Sequence, residues 1–445
     1  MKKFLTICII MFLSVCNACF ASGLSSEINN VISKSGINRS AITISIKNVK
    51  TGKTVYTLNP KMPVSPASVQ KTMTATAAFM TLGEDYRFST KLYKNNLGDY
   101  LLVLGADPYL SNKDLDKVVK CIAKEPVSIS IDDSVIDDNE WGEGWQWDDD
   151  LNPLMPKFSS YNLDNNLMEI VISPSVKGFP AEITKDSNYP VSFVNKIITD
   201  NSTKYVLKRQ NHISPDIIVA DGTIAPNKSE IINIPINNPK KYFDMRLSEN
   251  IINHSISSSG EFPIKKLNKN YKLITVLSHG LDRAKKDVYL NSSNYVAETV
   301  FKLAGGKYAS TTGSFDNGLL MFQDFCDKHH LDTSNIKLVD ASGVSKNNLM
   351  RSDFVTDFLL STQGFLENEL ATAGEGTLSK RMLYLRGYVH AKTGTLNNIS
   401  SIAGYITTRK DNKYVFCIMI NDPSSGPADK KVLEEYILRT IYTRG

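Results

Sequence analysis

The 445-residue sequence predicts an α+β protein interrupted by a large β-rich insertion, and three observations carry that prediction. Residues 41–47 alternate as Ala-Ile-Thr-Ile-Ser-Ile-Lys, and 53–58 continue in strand-like fashion after the Thr51-Gly52 turn, which fits two antiparallel strands. Between Arg87 and about Phe262, short β runs alternate with Asn, Asp, Pro and Gly turns. Beyond that stretch helices return, and three strands precede a last helix. The chain is 42% hydrophobic and 22% charged with 25 Gly and 17 Pro, which excludes collagenous, low-complexity and mostly disordered chains. A formal charge of +5, dispersed along the chain, gives no footprint for nucleic acid.

The elements follow in order. Residues 1–21 form an export leader: Lys2-Lys3, an apolar run from Phe4 to Val15, then small residues with Cys19 at −3 and Ala21 at −1. The expected location is the periplasm or an extracytoplasmic wall space. The rival is a lipoprotein leader ending at Cys16 or Cys19, which keeps peripheral membrane association open. Residues 22–86 and 263–445 are expected to form one domain, with 87–262 inserted as two subdomains. Pro63, Pro66 and Ala67 lead into a predicted helix from Ser68 through Met80. The insertion's β runs are Tyr100–Leu104, Val127–Ile131, Met168–Ile172, Lys204–Leu207 and Asp216–Ala220. Helices are expected at Tyr242–Asn253, Ser293–Ala304, Gly313–His329 and Ser352–Leu360. The late strands are His390–Thr395, Ser400–Thr407 and Tyr414–Ile420. The final helix, Ala428–Tyr442, places Val432, Tyr436, Ile437 and Ile441 on one face. Outside the leader only Cys121, Cys326 and Cys417 remain, with no zinc-like spacing, and Cys417 reads as a buried core thiol. His329-His330 reads as surface. No metal or cofactor is expected.

The chemistry begins at Ser68-Val69-Gln70-Lys71. Residues i and i+3 share a helix face, so Lys71 can reach the Ser68 oxygen, and the helix N-terminus favours the developing negative charge. A neutral lysine can serve as base if its surroundings lower its pKa from about 10.4 to about 7–8. Lys392 is a candidate for the neighbouring cation that does so. Ser-x-x-Lys alone is weak, since it recurs at Ser334–Lys337, and Ser-x-Asn also occurs at Ser160, Ser248 and Ser345. Order is what selects. A pair on an early helix, Ser292-Ser293-Asn294 opening a later helix, and Lys392-Thr393-Gly394 on a strand before the C-terminal helix form one ordered set.

That set resembles the trio of penicillin-binding proteins and class A β-lactamases. The long interval between its first two motifs is similar to the PBP4-like D-alanyl-D-alanine carboxypeptidase/endopeptidase group, peptidase family S13, the class C low-molecular-mass penicillin-binding proteins. Further matches are Pro66-Ala67-Ser68, Gly98–Pro108 with its Leu-Gly-Ala-Asp-Pro turn, Trp145–Asp149, Ala297-Glu298-Thr299, Asp340–Ser345, Gly374–Arg381 and Ala391–Leu396. The likeness runs from about Ser40 to the C-terminus. Ala341, Lys346 and the stretch 155–165 depart from the pattern, which bears on substrate preference rather than on the chemistry. The resemblance implies a transpeptidase-like domain, an antiparallel sheet flanked by helices, that hydrolyses the D-Ala-D-Ala bond of peptidoglycan stem peptides or a D-alanyl cross-link.

The roles it implies are these. Ser68 is the nucleophile, Lys71 the base, and Ser292 the relay to the leaving amine. Asn294 holds the substrate backbone, while Lys392 and Thr393 bind the terminal carboxylate. Gly394 lets substrate lie along the strand, and the N–H groups of Ser68 and Thr395 form the oxyanion hole. Asp149, in the acidic aromatic segment Trp141–Asp150, is implied to meet the side-chain amine of the stem peptide. Asp340 and Ser342 brace the floor. β-Lactams would be covalent inhibitors. The alternatives are a β-lactamase or esterase on the same fold, which lacks here the short loop glutamate of class A, and a non-catalytic wall-binding scaffold, which has no need of a nucleophile–base pair. Oligomeric state is not legible.

Overall fold

The computed structural model describes residues 23–445, so the leader over 1–21, with Cys16, Cys19 and Ala21, lies outside the described residues. Helix α1 (23–34) is followed by strands β1 (Ile42–Asn48) and β2 (Thr54–Leu58), then helix α2 (Lys71–Leu82). Next come β3 (Arg87–Asn95), β4 (Tyr100–Val103), α3 (Asn112–Val119), β5 (Ile129–Asp132), β6 (Leu167–Ser173) and β7 (Glu182–Lys185). β8 (Ser192–Thr199), β9 (Lys204–Gln210), β10 (Ser214–Ile224), β11 (Glu230–Pro235), α4 (Pro239–Asn253) and β12 (Tyr271–Gly280) continue the chain. Helices α5 (Leu281–Tyr289), α6 (Asn294–Ala309), α7 (Phe315–Lys328), α8 (Ser352–Ser361) and α9 (Gln363–Leu366) follow. The chain closes with β13 (Ala371–Thr372), β14 (Val389–Leu396), β15 (Ile399–Thr407), β16 (Lys413–Asn421) and α10 (Pro427–Arg444). Contacts divide the chain into two units. The first runs to Thr81 and adds Asp282–Ser293 and Leu319–Gly445; the second comprises Leu82–Leu281 and Asn294–Gly318.

The first unit is built on an antiparallel six-stranded sheet of order β13-β14-β15-β16-β1-β2. The apolar half of the β1 alternation, Ile42, Ile44 and Ile46, packs with Leu24, Ile28 and Ile32 of α1 and Leu433, Ile437 and Ile441 of α10. The polar half is buried as well. Thr43 Oγ1 lies 2.7 Å from Ser352 Oγ, Ser45 Oγ lies 2.8 Å from Thr356 Oγ1, and Lys47 pairs with Asp357, all on α8. The sheet is thus covered on both faces, one dry and one hydrogen-bonded, because buried hydroxyls are retained only where partners meet them. Ile44→Ala is expected to cost about 2–5 kcal/mol, read as a lowered urea midpoint at unchanged slope.

Two details of the sequence reading change. Val432 and Tyr436 are 50% and 52% exposed, and the buried stripe of α10 is Lys430, Leu433, Glu434, Ile437, Leu438 and Ile441. Glu434 turns that face inward: its carboxylate accepts from Ser400 Oγ at 2.7 Å and meets the Arg381 guanidinium at 3.0 Å. The expected helix at Ser68 opens instead as a 3-10 turn, Ala67–Gln70, which hands over to α2 at Lys71. Cys417 is fully buried in β16, and burial pushes its thiol up; Cys121 and Cys326 are also free thiols. His330 is exposed, whereas His329 is half-buried and stacks on Phe325. No helix among the described residues is long and apolar enough to cross a membrane.

The second unit holds three sheets, β12-β3-β4-β5, β11-β6-β7 and β8-β10-β9. Its main core gathers Leu92, Leu102 and Ile131 with Leu115 and Val118 of α3 and Phe243 and Leu247 of α4. Helix α3, unforeseen amid β runs, begins at a capping box in which Ser111 and Asp114 bond each other's backbone N–H.

Candidate active site

The segment Pro63–Ser68 is tied to the first unit's sheet before the helix starts. Asn421 Nδ2 donates to Ser65 O at 3.1 Å and Ser401 Oγ to Pro66 O at 2.6 Å. Ala67 then takes a left-handed backbone, φ 47°, uncommon for a residue with a Cβ. This bend sets Ser68, half-buried, at the first turn, with Lys71 fully buried beneath it. Lys71 Nζ donates to Ser68 Oγ at 3.0 Å and to Ser342 O at 2.6 Å.

Ser342 belongs to a loop wound around one carboxylate. Asp340 accepts from Gly343 N and Ser345 N, each at 2.7 Å, and from Asn348 Nδ2 at 2.9 Å. From the helix side, Gln70 Nε2 donates to Asp340 O at 2.5 Å, and Thr74 Oγ1 to Ala341 O at 2.6 Å. Gly343 sits at φ 79°, where a Cβ would lie 2.1 Å from Ala67 O, so only glycine lets this loop close on the nucleophile turn. The loop's purpose is legible in that geometry: it aims a main-chain oxygen at Lys71.

Strand β14 supplies the opposite wall. Lys392 is fully buried, and its Nζ donates to Ser292 Oγ at 2.7 Å and to Thr393 O at 2.9 Å. Ser292 itself is held at φ 62° just beyond α5, and Ser293 N donates to Asp287 O at 2.8 Å. Burial first, and the nearby Lys71 charge second, hold the Lys392 ammonium well below its usual range. At Gly394 a Cβ would come within 2.7 Å of Ser68 N and 2.4 Å of Ser401 Oγ. Thr393, Gly394 and Thr395 pair with Ile402, Ser401 and Ser400 of β15. On the other edge, β13 pairs only with His390 and Ala391, leaving the main chain from Lys392 to Leu396 without a strand partner among the described residues.

Of the residues expected from sequence, Ser68, Lys71, Ser292, Lys392, Thr393, Gly394 and Thr395 therefore belong to the first unit. There the pairs Ser68–Lys71 and Ser292–Lys392 are each closed by a hydrogen bond. Asn294 and Asp149 belong to the second unit. Asn294 opens α6 and donates from Nδ2 to Leu154 O at 3.0 Å. Asp149 lies half-buried in the 3-10 turn Trp147–Asp149, and its carbonyl accepts from Asn152 N at 2.9 Å. Asp148 beside it is exposed, while Asp150 pairs with Arg209 at 3.3 Å. Sequence reasoning missed Gln70 and the Ser342 carbonyl as partners of this site. A main-chain acceptor has no side-chain signature, and only the run Asp340–Ser345 hinted at the loop. Among the described residues no cluster of His, Cys, Asp or Glu is placed to hold a metal.

A family model described as the D-Ala-D-Ala carboxypeptidase 3 (S13) family matches residues 24–439. A D-alanyl-D-alanine carboxypeptidase of Actinomadura sp. (strain R39) is 23% identical over 94% of this chain and 84% of its own. The D-alanyl-D-alanine carboxypeptidase DacB of Haemophilus influenzae is 24% identical over 86% of each. The crystal structure of penicillin binding protein 4 from that organism superposes with a TM-score of 0.81 at 22% identity, over 93% of this chain and 98% of the other. The α+β class, with antiparallel sheet and flanking helices, is that of this structure.

Proposed function

The chain belongs to the D-Ala-D-Ala carboxypeptidase 3 (S13) family and is a serine DD-peptidase, and from that premise we propose that Ser68 carries the reaction. Its Oγ attacks the carbonyl between two D-alanines of a peptidoglycan stem peptide, and the hydroxyl proton passes to Lys71. The Ser68–Lys71 contact of 3.0 Å is the observation that carries this reading. The carbon–nitrogen bond breaks as the departing D-alanine amine takes a proton relayed through Ser292. Water then splits the Ser68 ester, returning the enzyme and releasing the shortened peptide.

Each remaining residue has a part suited to its chemistry. Lys392 and Thr393 receive the terminal carboxylate, whose negative charge draws a proton onto the buried Lys392 amine while its other oxygen accepts from the Thr393 hydroxyl. The unpaired edge of β14 accepts the peptide as an added strand. The N–H groups of Ser68 and Thr395 cradle the oxyanion, Asn294 holds the substrate main chain, and Asp149 meets the side-chain amine of the stem peptide. Penicillin, an acylating agent through its lactam carbonyl, enters by the same route and forms its ring-opened ester on the same Ser68 oxygen. The work is done in the cell-wall space outside the cytoplasmic membrane, the destination that the leader implies.

The test is digestion of purified muropeptides followed by mass analysis. Loss of one D-alanine from pentapeptide monomers, or division of a cross-linked dimer, is the expected product pattern. Turnover of penicillin with muropeptides left intact would overturn the reading in favour of a β-lactamase. Gly394→Val tests the strand wall. Its side chain must displace the Ser68 N–H, and losing one oxyanion donor commonly costs about 10²–10³ in rate. Stopped-flow acylation by a chromogenic β-lactam should fall by that factor while thermal unfolding stays cooperative.

A further inference from the structure

We propose that the second unit carries a saccharide subsite, centred on Trp147, that takes an N-acetylated amino-sugar ring of the wall glycan. It rests on the reading above only for the choice of polymer. A cavity of about 190 Å³ has Trp141, Trp147, Pro235 and Ile236 as its apolar lining and Asp150, Lys157, Asn211 and Asn237 as its polar one. A second, of about 390 Å³, shares Lys157 and Asn237 with it and continues past Tyr161, Asn238 and the carboxylates of Asp133, Asp137, Asp138 and Glu140. The larger lies in the size range of small-molecule sites.

The lining is made for a polyhydroxylated ring. Trp147 is 78% exposed, while Trp141 is anchored edge-to-face on buried Trp145, their centroids 5.0 Å apart. An indole this open leaves its flat apolar face unburied, and the C–H face of a pyranose is a fitting cover for it. Around it stand the amides of Asn211 and Asn237, the Asp150 carboxylate and the Lys157 ammonium, groups that bond neighbouring hydroxyls and an acetamido group.

The polar side is also fixed in advance. Arg209, its side chain buried, donates to Pro235 O at 2.8 Å and Pro215 O at 2.5 Å and meets Asp150 at 3.3 Å. Asn211 Nδ2 donates to the same Asp150 oxygen at 2.7 Å. One buried cation thus sets both the acid and the backbone of the cavity floor, which lowers the ordering cost of binding.

The experiment is calorimetric titration of the mature chain, acylated at Ser68 by penicillin, with soluble glycan strands stripped of peptide by an amidase. Saturable binding is expected, at least tenfold weaker in Trp147→Ala and largely restored in Trp147→Phe. Asn237→Ala should weaken it too. No binding by the wild type, or equal binding by Trp147→Ala, would overturn the subsite. The acylation step separates the two readings: failure of penicillin to label Ser68 removes the peptidase mechanism and leaves glycan binding as a result in its own right.

Discussion

Ser68→Ala is expected to abolish covalent labelling by fluorescent penicillin and all release of D-alanine. The effect should be complete because the substitution removes the atom that forms the ester. Neither Lys71 nor Ser292 can take over, since Lys71 is fully buried and Ser292 is paired with Lys392 at 2.7 Å rather than with the Lys71 base. The fold should survive: Ser68 is half-buried, and the bend before it is held by Ser401 and Asn421 through the main chain of Pro66 and Ser65. Gel fluorescence after denaturation reads the first result and thermal unfolding the second. Persisting label in a folded Ser68→Ala protein would place the nucleophile elsewhere.

Lys71→Ala should slow acylation by about 10²–10⁴, the range typical of a lost general base. It also strips the Ser342 carbonyl of a donor at 2.6 Å, so a stability loss of about 1–3 kcal/mol is expected alongside. A pH signature separates the two effects. Lys392 is held low by burial first and by the Lys71 charge second, so between that lowered value and its usual 10.5 the unfolded chain binds a proton at Lys392 that the ligand-free native state does not. Stability from this group therefore rises with pH, from its lowered native value up to its usual 10.5. With Lys71 gone, only burial remains; Lys392 moves back up, and the rise starts at a higher pH and is smaller in total. Urea midpoints across the alkaline range read the slope, and acylation rates read the catalysis. An unchanged rate in Lys71→Ala would remove it from the base role.

The site shows where sequence reading stops. Ser68-x-x-Lys71 was legible because the chemistry lies within one turn, and i to i+3 geometry is local. Lys392 and Ser292 were legible only as members of an ordered set. Their 2.7 Å contact joins positions one hundred residues apart, which no local rule can place. The Asp340 loop shows the same limit. Its acid and glycine are visible in the sequence, but that its Ser342 carbonyl meets Lys71 depends on Gln70 and Thr74 reaching across from another element.

The fold divides in the same way. By itself the sequence determined that β1 is a strand, that the late strands end in a helix, and that the middle of the chain is rich in short strands. Alternation and turn residues act over a few positions and are written directly in the order of side chains. Only the tertiary structure decided that the polar face of β1 is buried, through Thr43, Ser45 and Lys47 meeting α8. It alone decided that Glu434 rather than Tyr436 faces inward on α10, because Arg381 waits there. Whether a polar residue is inside or outside depends on whether a distant partner satisfies it, and that partner is chosen by the packing of the whole unit.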